Sequence, residues 1–333
     1  MTDPSREQQP LLDVRHLRVE FPTRHGPLLA LDDVSFQIRP GEILGVVGES
    51  GAGKSLTGAS IIGLLDPPGR IAGGEIWLSG QRIDQLPNEQ MRKIRGRKIG
   101  AIFQDPLTSL NPLYTVGCQI IETIRTHLDV SESEARKRAI ALLQETGISA
   151  AETRIDQYPH QFSGGMRQRV VIALALAAEP ELIVADEPTT ALDVSVQAQI
   201  IELLKNMGRR HGSAVMLITH DMGVIAEACD RVAVMYAGRV AEIGPVADVI
   251  HRPAHPYTVG LMGAIPSMEE DRERLLQIEG SMPRLNATPK GCAFNPRCPK
   301  AFDRCFVERP NLMQAPATLA ACWLNADVAK QAA

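Results

Sequence analysis

The sequence predicts an α/β fold with a mostly parallel sheet, followed by a small cysteine-rich C-terminal extension. An apolar run over residues 43–47 precedes a glycine-rich loop, and a helical pattern over residues 56–65 follows that loop. A second apolar run, over residues 182–185, lacks polar alternation, which is typical of a strand buried on both faces of a parallel sheet. Four of the six cysteines lie at or beyond residue 292, so the tail differs in composition from the rest of the chain.

Composition and charge restrict the class of protein. The chain has 333 residues, enough for two domains or for one domain with an extension. Its formal net charge of −4 argues against a surface that coats nucleic acid, so no nucleic-acid partner is expected. Residues 1–10 are predicted to be disordered and carry no secretory signal, and the longest apolar run, 170–178, is too short to span a bilayer. We therefore expect a cytosolic chain that could dock onto a membrane protein.

The glycine-rich loop matches the pattern G-x-x-x-x-G-K-[ST] between a strand and a helix, which predicts a site for nucleotide phosphates. Its glycines let successive N–H groups turn inward to bind an anion, and the helix N-terminus adds partial positive charge. Lys54 is expected to reach the β- and γ-phosphates, and Ser55 to place its hydroxyl on Mg²⁺. A chance glycine turn, expected in about 1% of chains this long, is the alternative. The predicted ATP-binding residues here are Gly48, Glu49, Ser50, Gly51, Ala52, Gly53, Lys54, Ser55 and Leu56.

Two strands are expected before the loop, over residues 12–21 and 31–38. Phe21, at the end of the first strand, could stack on an adenine ring or could be an ordinary core residue, and both interpretations stay open. After the loop, residues 73–78 are typical of a strand, and residues 88–95 are typical of a short basic helix whose charges face solvent.

A further strand, over residues 98–103, ends on Gln104 and is followed by a turn-rich segment. A glutamine at a strand end can supply an oxygen to Mg²⁺ or to water, although Gln104 alone is a weak indication. Helical spacing then covers residues 116–148, where Ser131 and Glu134 form a capping box that predicts the start of a second helix.

A serine followed by two glycines predicts another helix start. Ser163 is suited to cap a helix over residues 166–178, and Gly164 and Gly165 would expose N–H groups at its N-terminus. The pattern is compatible with a second anion site or with a simply capped helix. Residue chemistry alone slightly favours the capped helix.

Two buried strands end on polar side chains. One ends on Asp186 and Glu187, and the other, over residues 214–219, precedes His220. Acidic groups at such strand ends lie where open α/β sheets bind ligands. Asp186 can hold Mg²⁺, and Glu187 can polarise a water for in-line attack. The alternatives are a surface turn for the two acids and a structural role for His220.

Residues 231–243 predict a hairpin, and a pair of histidines follows it. His251 and His255 have the i, i+4 spacing that a helix could use to bind a metal. Because Pro253 and Pro256 interrupt any helix there, we reject a metal site at this pair.

In this order, the motifs resemble the nucleotide-binding subunit of an ATP-binding-cassette (ABC) transporter over about residues 11–265. The resemblance implies a P-loop, RecA-like core with an antiparallel β-subdomain and a helical signature subdomain at about residues 105–178. It implies ATP hydrolysis with Mg²⁺, in which Lys54, Glu187 and His220 act on the γ-phosphate. The other implied roles are Mg²⁺ ligands (Ser55, Gln104, Asp186), adenine stacking (Phe21), the signature motif (Ser163, Gly164, Gly165, Met166) and the D-loop (Ala191, Leu192, Asp193).

In this family two cassettes pair head to tail, so that the signature motif and Asp193 of one chain cover the ATP of the other. The usual signature is Leu-Ser-Gly-Gly-Gln, whereas this chain has Phe162 and Met166 at the two ends of the motif. Met166 cannot supply the amide of Gln near the ribose. Ser163 and the glycines, which would meet the γ-phosphate, are intact.

Residues 103–112, 158–169 and 255–258 resemble the peptide-importer branch, most closely the D-type ATPase of dipeptide and oligopeptide importers. Nickel and glutathione importers are near relatives. The implied partners are a second, paralogous ATPase, two transmembrane permease subunits that dock near residues 104–120, and a periplasmic or extracellular peptide-binding protein. The implied location is peripheral, at the cytoplasmic face of the inner membrane.

The tail, residues 266–333, is similar to the C-terminal extension of that branch, in which four cysteines hold a [4Fe–4S] cluster. Spacing alone does not indicate a cluster, because the tail contains no C-x-x-C pair. Four thiolates could equally bind zinc, or the cysteines could hold no metal. The implied ligands are Cys292, Cys298, Cys305 and Cys322.

Two other functions stay open. One is a soluble ABC ATPase that acts on ribosomes or DNA, which the single cassette and the lack of heptads disfavour. The other is a redox-responsive ATPase in which the thiols of the tail regulate activity.

Overall fold

The computed structural model describes residues 9–190, 192–264 and 277–327. The predicted disordered segment 1–10, the D-loop residue Ala191 and the start of the predicted extension at 266 therefore lie wholly or partly outside the described residues. The strands are β1 Leu12–Thr23, β2 Gly26–Ile38, β3 Ile43–Val47, β4 Arg70–Leu78, β5 Gln81–Arg82, β6 Ile99–Ile102, β7 Leu182–Asp186, β8 Ala214–Ile218, β9 Arg231–Tyr236, β10 Arg239–Pro245, β11 Met313–Gln314 and β12 Leu319–Ala320.

Helices are present at the four predicted places, near residues 56–65, 88–95, 116–148 and 166–178, whereas the long helix Val194–His211 was not predicted. The helices are α1 Lys54–Ile62, α2 Asn88–Ile94, α3 Pro106–Ser109, α4 Val116–His127, α5 Glu132–Glu145, α6 Ala151–Arg154, α7 Gly164–Leu176, α8 Val194–His211, α9 Met222–Ala228, α10 Val246–His251, α11 Pro256–Gly263 and α12 Asp303–Val307. Within the described residues, no helix is long and apolar enough to cross a membrane.

The chain divides into two units, and the first comprises Ile38–Ile43, Leu78–Ile218 and the residues before Leu12. Its strands β6, β7 and β8 pair in parallel, with Ile102 opposite Ala185 and Asp186 opposite Ile218. The first four residues of β7 are buried, as the unbroken apolar run predicts. Its polar last residue therefore lies at the end of a buried strand.

Side-chain caps set the starts of two helices in the first unit. Ser131 accepts a hydrogen bond from the backbone N–H of Glu134 and begins α5, as the capping pattern predicts. Ser163 accepts from the backbone N–H of Met166 over 3.4 Å and begins α7. The helices α4, α5 and α7 pack on one another, and they lie within the predicted helical segment 105–178.

The second unit comprises Leu12–Gln37, Leu44–Trp77 and the chain from Thr219 onwards. In one sheet β1 lies between β2 and β4, and in another β3 pairs in parallel with β9. Strands β9 and β10 form the predicted antiparallel hairpin, with a bulge between Val240 and Glu242. The short strands β12 and β11 then extend the sheet beyond β10, so the tail pairs directly with a cassette strand.

Three aromatic rings anchor the tail in the core of the second unit. Phe294 is almost fully buried, and its ring centroid lies 5.2 Å from that of Tyr236 and 5.4 Å from that of Tyr257. Tyr236 and Tyr257 themselves meet edge to face at 4.6 Å. Aromatic pairs at these separations contribute about 0.5–1.5 kcal/mol each beyond their buried area.

Candidate nucleotide site

The loop between β3 and α1 adopts a backbone that requires glycine. Gly48, Gly51 and Gly53 have φ values of 151°, 84° and 102°. A Cβ atom on Gly48 would lie 2.3 Å from the carbonyl oxygen of Met235, and one on Gly53 would lie 2.6 Å from a methyl carbon of Leu31. Both distances are shorter than real Cβ contacts, so a side chain at Gly48 would force the backbone to move, and one at Gly53 would displace the Leu31 side chain and strain a left-handed backbone.

Helix α1 begins directly from this loop. Its N-cap residue, Gly53, is left-handed, and no side chain in the described part of the chain caps the helix. The first N–H groups of a helix carry partial positive charge and lack intrahelical acceptors, so they suit a phosphate. The predicted loop residues are therefore brought together as a cradle for an anion.

Lys54 lies across the loop. It is buried, and its ammonium group donates to the carbonyl oxygens of Gly48 at 2.8 Å and Glu49 at 3.2 Å. Ser55 is exposed beside it, on the first turn of α1. Phosphate binding by Lys54 and Mg²⁺ binding by Ser55 stay predictions.

Two residues that the sequence analysis missed hold Glu49. The phenol oxygen of Tyr257 accepts the backbone N–H of Glu49 at 2.9 Å. The guanidinium of Arg297 donates to both carboxylate oxygens of Glu49, at 2.9 and 3.1 Å. Tyr257 lies in the 255–258 segment that resembles peptide importers, and Arg297 precedes a predicted cysteine ligand, but neither position indicates a contact with the loop.

The predicted catalytic carboxylate is held in the first unit. Glu187 has a left-handed φ of 46°, and its backbone N–H donates to Ile218 at 2.9 Å. Its side-chain oxygen Oε2 accepts from the amide Nε2 of Gln104 at 3.1 Å and from the hydroxyl of Thr190 at 2.9 Å. Gln104 and Glu187 are thus brought together, and Thr190 is a further partner that the sequence analysis did not identify.

The signature segment starts helix α7 close to the segment that follows the predicted D-loop. A Cβ atom on Gly165 would lie 2.9 Å from a methyl carbon of Val196, so this glycine permits the close approach of α8. The sulfur of Met166 accepts a contact from Arg154 at 3.5 Å. Asp193 is exposed and precedes α8.

The contacts of His220 and Phe21 do not show whether either residue binds the nucleotide. His220 is exposed, and it precedes Asp221, whose carboxylate caps α9 by accepting from the N–H groups of Gly223 and Val224. Phe21 is half-buried in β1, where its ring lies against Gly69. Adenine stacking by Phe21 and phosphate contact by His220 stay predictions.

The four tail cysteines influence one another electrostatically. Burial, with smaller contributions from the nearby Cys292, Cys298 and Cys305, raises the pKa of Cys322 to about 11. Burial is also the main reason that the pKa values of Cys292 and Cys298 are raised. No cysteine among the described residues forms a disulfide.

The described residues show no metal site at the tail cysteines. Across residues 9–190, 192–264 and 277–327, no group of three or more His, Cys, Asp or Glu side chains could hold a metal ion. The four tail cysteines therefore do not form such a group in the described part of the chain. The predicted cluster on Cys292, Cys298, Cys305 and Cys322 therefore stays a prediction.

Comparison with known proteins identifies the family. The chain is 48% identical over 302 residues to the dipeptide transport ATP-binding protein DppD of Escherichia coli (strain K12), which covers 91% of this chain and 92% of that protein. It is 47% identical over 324 residues to the oligopeptide transport ATP-binding protein OppD of the same organism, covering 97% and 96%. A family model described as ABC transporter matches residues 31–190.

The chain belongs to the ABC transporter family. A second family model, described as oligopeptide/dipeptide transporter, C-terminal region, matches residues 241–305. The dimeric, post-hydrolysis structure of the ATP-binding cassette MJ0796 with ADP and Pi covers 71% of this chain and 98% of its own, at 30% identity and a TM-score of 0.63. The predicted ABC cassette fold and ATPase activity coupled to transport are confirmed.

Proposed function

We propose that this ABC ATPase energises the import of dipeptides or oligopeptides across a bacterial cytoplasmic membrane. The observation that carries the proposal is the similarity of about half of all residues, over nine tenths of the chain, to ATP-binding proteins named for dipeptide and oligopeptide transport. The match of residues 241–305 to the C-terminal region of such transporters supports the same substrate class.

The decisive experiment is uptake by the assembled transporter. The chain is co-expressed with its permease subunits, purified from membranes and reconstituted in vesicles with the matching binding protein. ATP-dependent uptake of a labelled dipeptide, with no uptake of nickel or glutathione, is the expected result. Uptake of nickel or glutathione but not of peptide would contradict the proposed substrate class and identify one of these solutes as the substrate.

The proposed chemistry assigns each residue one task. The loop residues 48–55 and Leu56 bind the phosphates of ATP, and Phe21 stacks on its adenine. Lys54 neutralises charge on the transferred γ-phosphoryl group. Glu187 accepts a proton from the attacking water, while Gln104 and Thr190 hold its carboxylate in place, and His220 contacts the γ-phosphate.

Magnesium would be held by oxygen donors of the chain. Ser55, Gln104 and Asp186 provide a hydroxyl, an amide and a carboxylate oxygen, which are the hard ligands that Mg²⁺ prefers. When bound, the ion neutralises negative charge on the phosphates.

We further propose that the second half of each ATP site comes from another cassette. Ser163, Gly164, Gly165, Met166 and Asp193 would cover the nucleotide of a paralogous partner. Both the start of α7 and the start of α8 carry exposed residues, as such a lid requires. Size measurement of the chain with and without the paralogue, in the presence of ATP, tests this pairing.

The permease subunits are proposed to dock near residues 104–120. Large apolar side chains are exposed in and beside this segment, with exposed fractions of 46% for Phe103, 62% for Leu107, 79% for Leu113 and 53% for Tyr114. Exposed apolar groups in one short segment are typical of a protein interface. Docking there would place the chain peripherally on the cytoplasmic face of the inner membrane.

For the tail we propose a [4Fe–4S] cluster on Cys292, Cys298, Cys305 and Cys322. The mutual effect of these thiols on pKa supports a shared site. A cluster takes one thiolate per iron, so its ligands need not surround a single point as zinc ligands do. Iron, sulfide and zinc assays of protein purified without oxygen test the proposal, and protein free of iron and sulfide would remove the cluster.

A further inference from the structure

Glu49 of the phosphate loop is held by the C-terminal tail through one arginine. Arg297 donates to both carboxylate oxygens of Glu49, in the bidentate geometry that a guanidinium and a carboxylate form best. Its side chain is 7% exposed, and that of Glu49 is 28% exposed. The pair is therefore shielded from water more than a surface salt bridge is.

Every N–H of the Arg297 guanidinium has an acceptor. Besides Glu49, these acceptors are the carbonyl oxygens of Ile278 at 3.2 Å and Glu279 at 2.8 Å, and the phenol oxygen of Tyr236 at 3.4 Å. A guanidinium has five N–H donors in a rigid plane, so a full set of acceptors leaves it one orientation. Arg297 thus fixes where the Glu49 carboxylate lies.

Tyr257 holds the same residue from the backbone side. Its phenol accepts the N–H of Glu49, while its ring is fully buried against Tyr236. Burial raises the pKa of this phenol above its ordinary value, so it stays protonated. Glu49 is therefore restrained at its main chain and at its side chain by residues that are 208 and 248 positions away.

The restraint reaches the groups that would touch the phosphates. The carbonyl oxygen of Glu49 accepts from the ammonium of Lys54 at 3.2 Å and from the backbone N–H of Ala52 at 3.1 Å. A shift of Glu49 would move both contacts. Without Arg297, the Glu49 carboxylate would also present an uncompensated negative charge beside an anion site.

We propose that Arg297 and Tyr257 are positioning residues of the nucleotide site, which set its affinity for ATP by fixing Glu49. This inference rests on the proposed ATP-binding role of the loop. If so, the tail contributes to ATP affinity through Arg297, whether or not its cysteines hold a metal.

The test is equilibrium binding of a fluorescent ATP analogue to the full-length chain. Arg297→Ala should raise the Kd about tenfold, a moderate value because Glu49 keeps some exposure to water. Arg297→Lys keeps the positive charge but not the planar guanidinium that bonds both carboxylate oxygens. Its Kd should therefore lie between that of Arg297→Ala and that of the parent. The double variant Glu49→Gln, Arg297→Ala should bind ATP more tightly than Arg297→Ala, because it removes the uncompensated carboxylate.

Arg304→Ala is the matched control. Arg304 lies in the same tail but pairs with Glu308 and stacks on Trp323, away from Glu49. Its substitution should leave the Kd unchanged. If Arg297→Ala lowers the unfolding temperature but leaves the Kd at the parental value, the arginine only stabilises the fold and the proposal is wrong.

A second variant covers the case in which Arg297→Ala does not fold. Tyr257→Phe keeps the buried ring and removes the acceptor of the Glu49 N–H, so it should also raise the Kd several-fold. An unchanged Kd for this variant would overturn the proposal. A parental chain that binds no ATP analogue would instead contradict the proposed function of the loop.

Discussion

Gln104 donates its side-chain amide to the carboxylate of Glu187 over 3.1 Å. The same carboxylate oxygen accepts a hydrogen bond from the hydroxyl of Thr190, and the backbone of Glu187 is left-handed. A base that must meet a water in line with the γ-phosphate needs such a fixed direction. Substitution of Glu187 or Thr190 should therefore change the rate of ATP hydrolysis.

Replacing Glu187 by Gln should abolish turnover without abolishing binding. The amide cannot accept the proton of the attacking water, so ATP hydrolysis by the assembled transporter should fall by about 10²–10⁴-fold. Affinity for ATP should stay close to that of the parent, because the phosphate loop is unchanged. Phosphate release and nucleotide binding are measured on the same preparation, and hydrolysis at the parental rate would refute the role of Glu187.

Replacing Thr190 by Val should slow hydrolysis moderately. Valine has the shape of threonine but donates no hydrogen bond, so the Glu187 carboxylate loses one of its restraints. A lost hydrogen bond to a charged group is worth about 1.5–3 kcal/mol, which corresponds to a fall in kcat of about tenfold or more. Thr123→Val is the control, since that hydroxyl donates to the backbone of its own helix. Equal kcat values for both variants would contradict the prediction.

Replacing Gly53 by Ala should destroy the phosphate loop. The new methyl group would lie 2.6 Å from Leu31 and 3.3 Å from the Cα of Gly238, at a φ of 102° that alanine rarely adopts. We expect loss of measurable ATP binding, by titration with a fluorescent analogue. Gly212→Ala is a matched control, because Gly212 is also left-handed but has nothing within 4 Å of its added Cβ among the described residues. That variant should lose about 1 kcal/mol of stability and keep its ATP affinity.

Acid should destabilise the fold through His255. This residue is fully buried, and burial lowers its pKa to about 4. Between pH 6.5 and pH 4 the unfolded chain therefore binds a proton that the folded chain does not, so the free energy of unfolding falls as the pH falls. The contribution is complete above pH 6.5, and about 2 kcal/mol of it is lost at pH 5.

Denaturant unfolding at pH 7.5 and pH 5.0 measures this loss, with His255→Asn as the comparison. The ring nitrogen of His255 accepts the N–H of Tyr257 and so caps α11, and the side-chain oxygen of Asn can take over this bond. The difference in stability between the two pH values should shrink by about 2 kcal/mol in the variant. If the difference in the free energy of unfolding between pH 7.5 and pH 5.0 is the same in the variant and the parent, other groups cause the acid sensitivity.

Much of the nucleotide site could be predicted because its geometry is local. Gly48 and Gly53 satisfy positive φ angles, and Lys54 bonds to carbonyls five and six residues before it, so all of this loop is determined within one short segment. The caps Ser131 and Ser163 are equally local, since each bonds an N–H three residues ahead. The strand ends at Gln104 and Glu187 could be predicted from apolar runs, although the bond between them could not.

The sequence by itself therefore determined the family, the phosphate loop, the helix caps and the position of Glu187 at a strand end, because each depends on a pattern or a hydrogen bond within a few residues. Only the tertiary structure decided that Arg297 and Tyr257 hold Glu49 and that β12 pairs with β10. The tail reaches the loop because Phe294 is buried between two tyrosines and a sheet edge is available for pairing. Such contacts join residues that are far apart in the sequence and depend on how their surfaces pack, which residue spacing along the chain does not reveal.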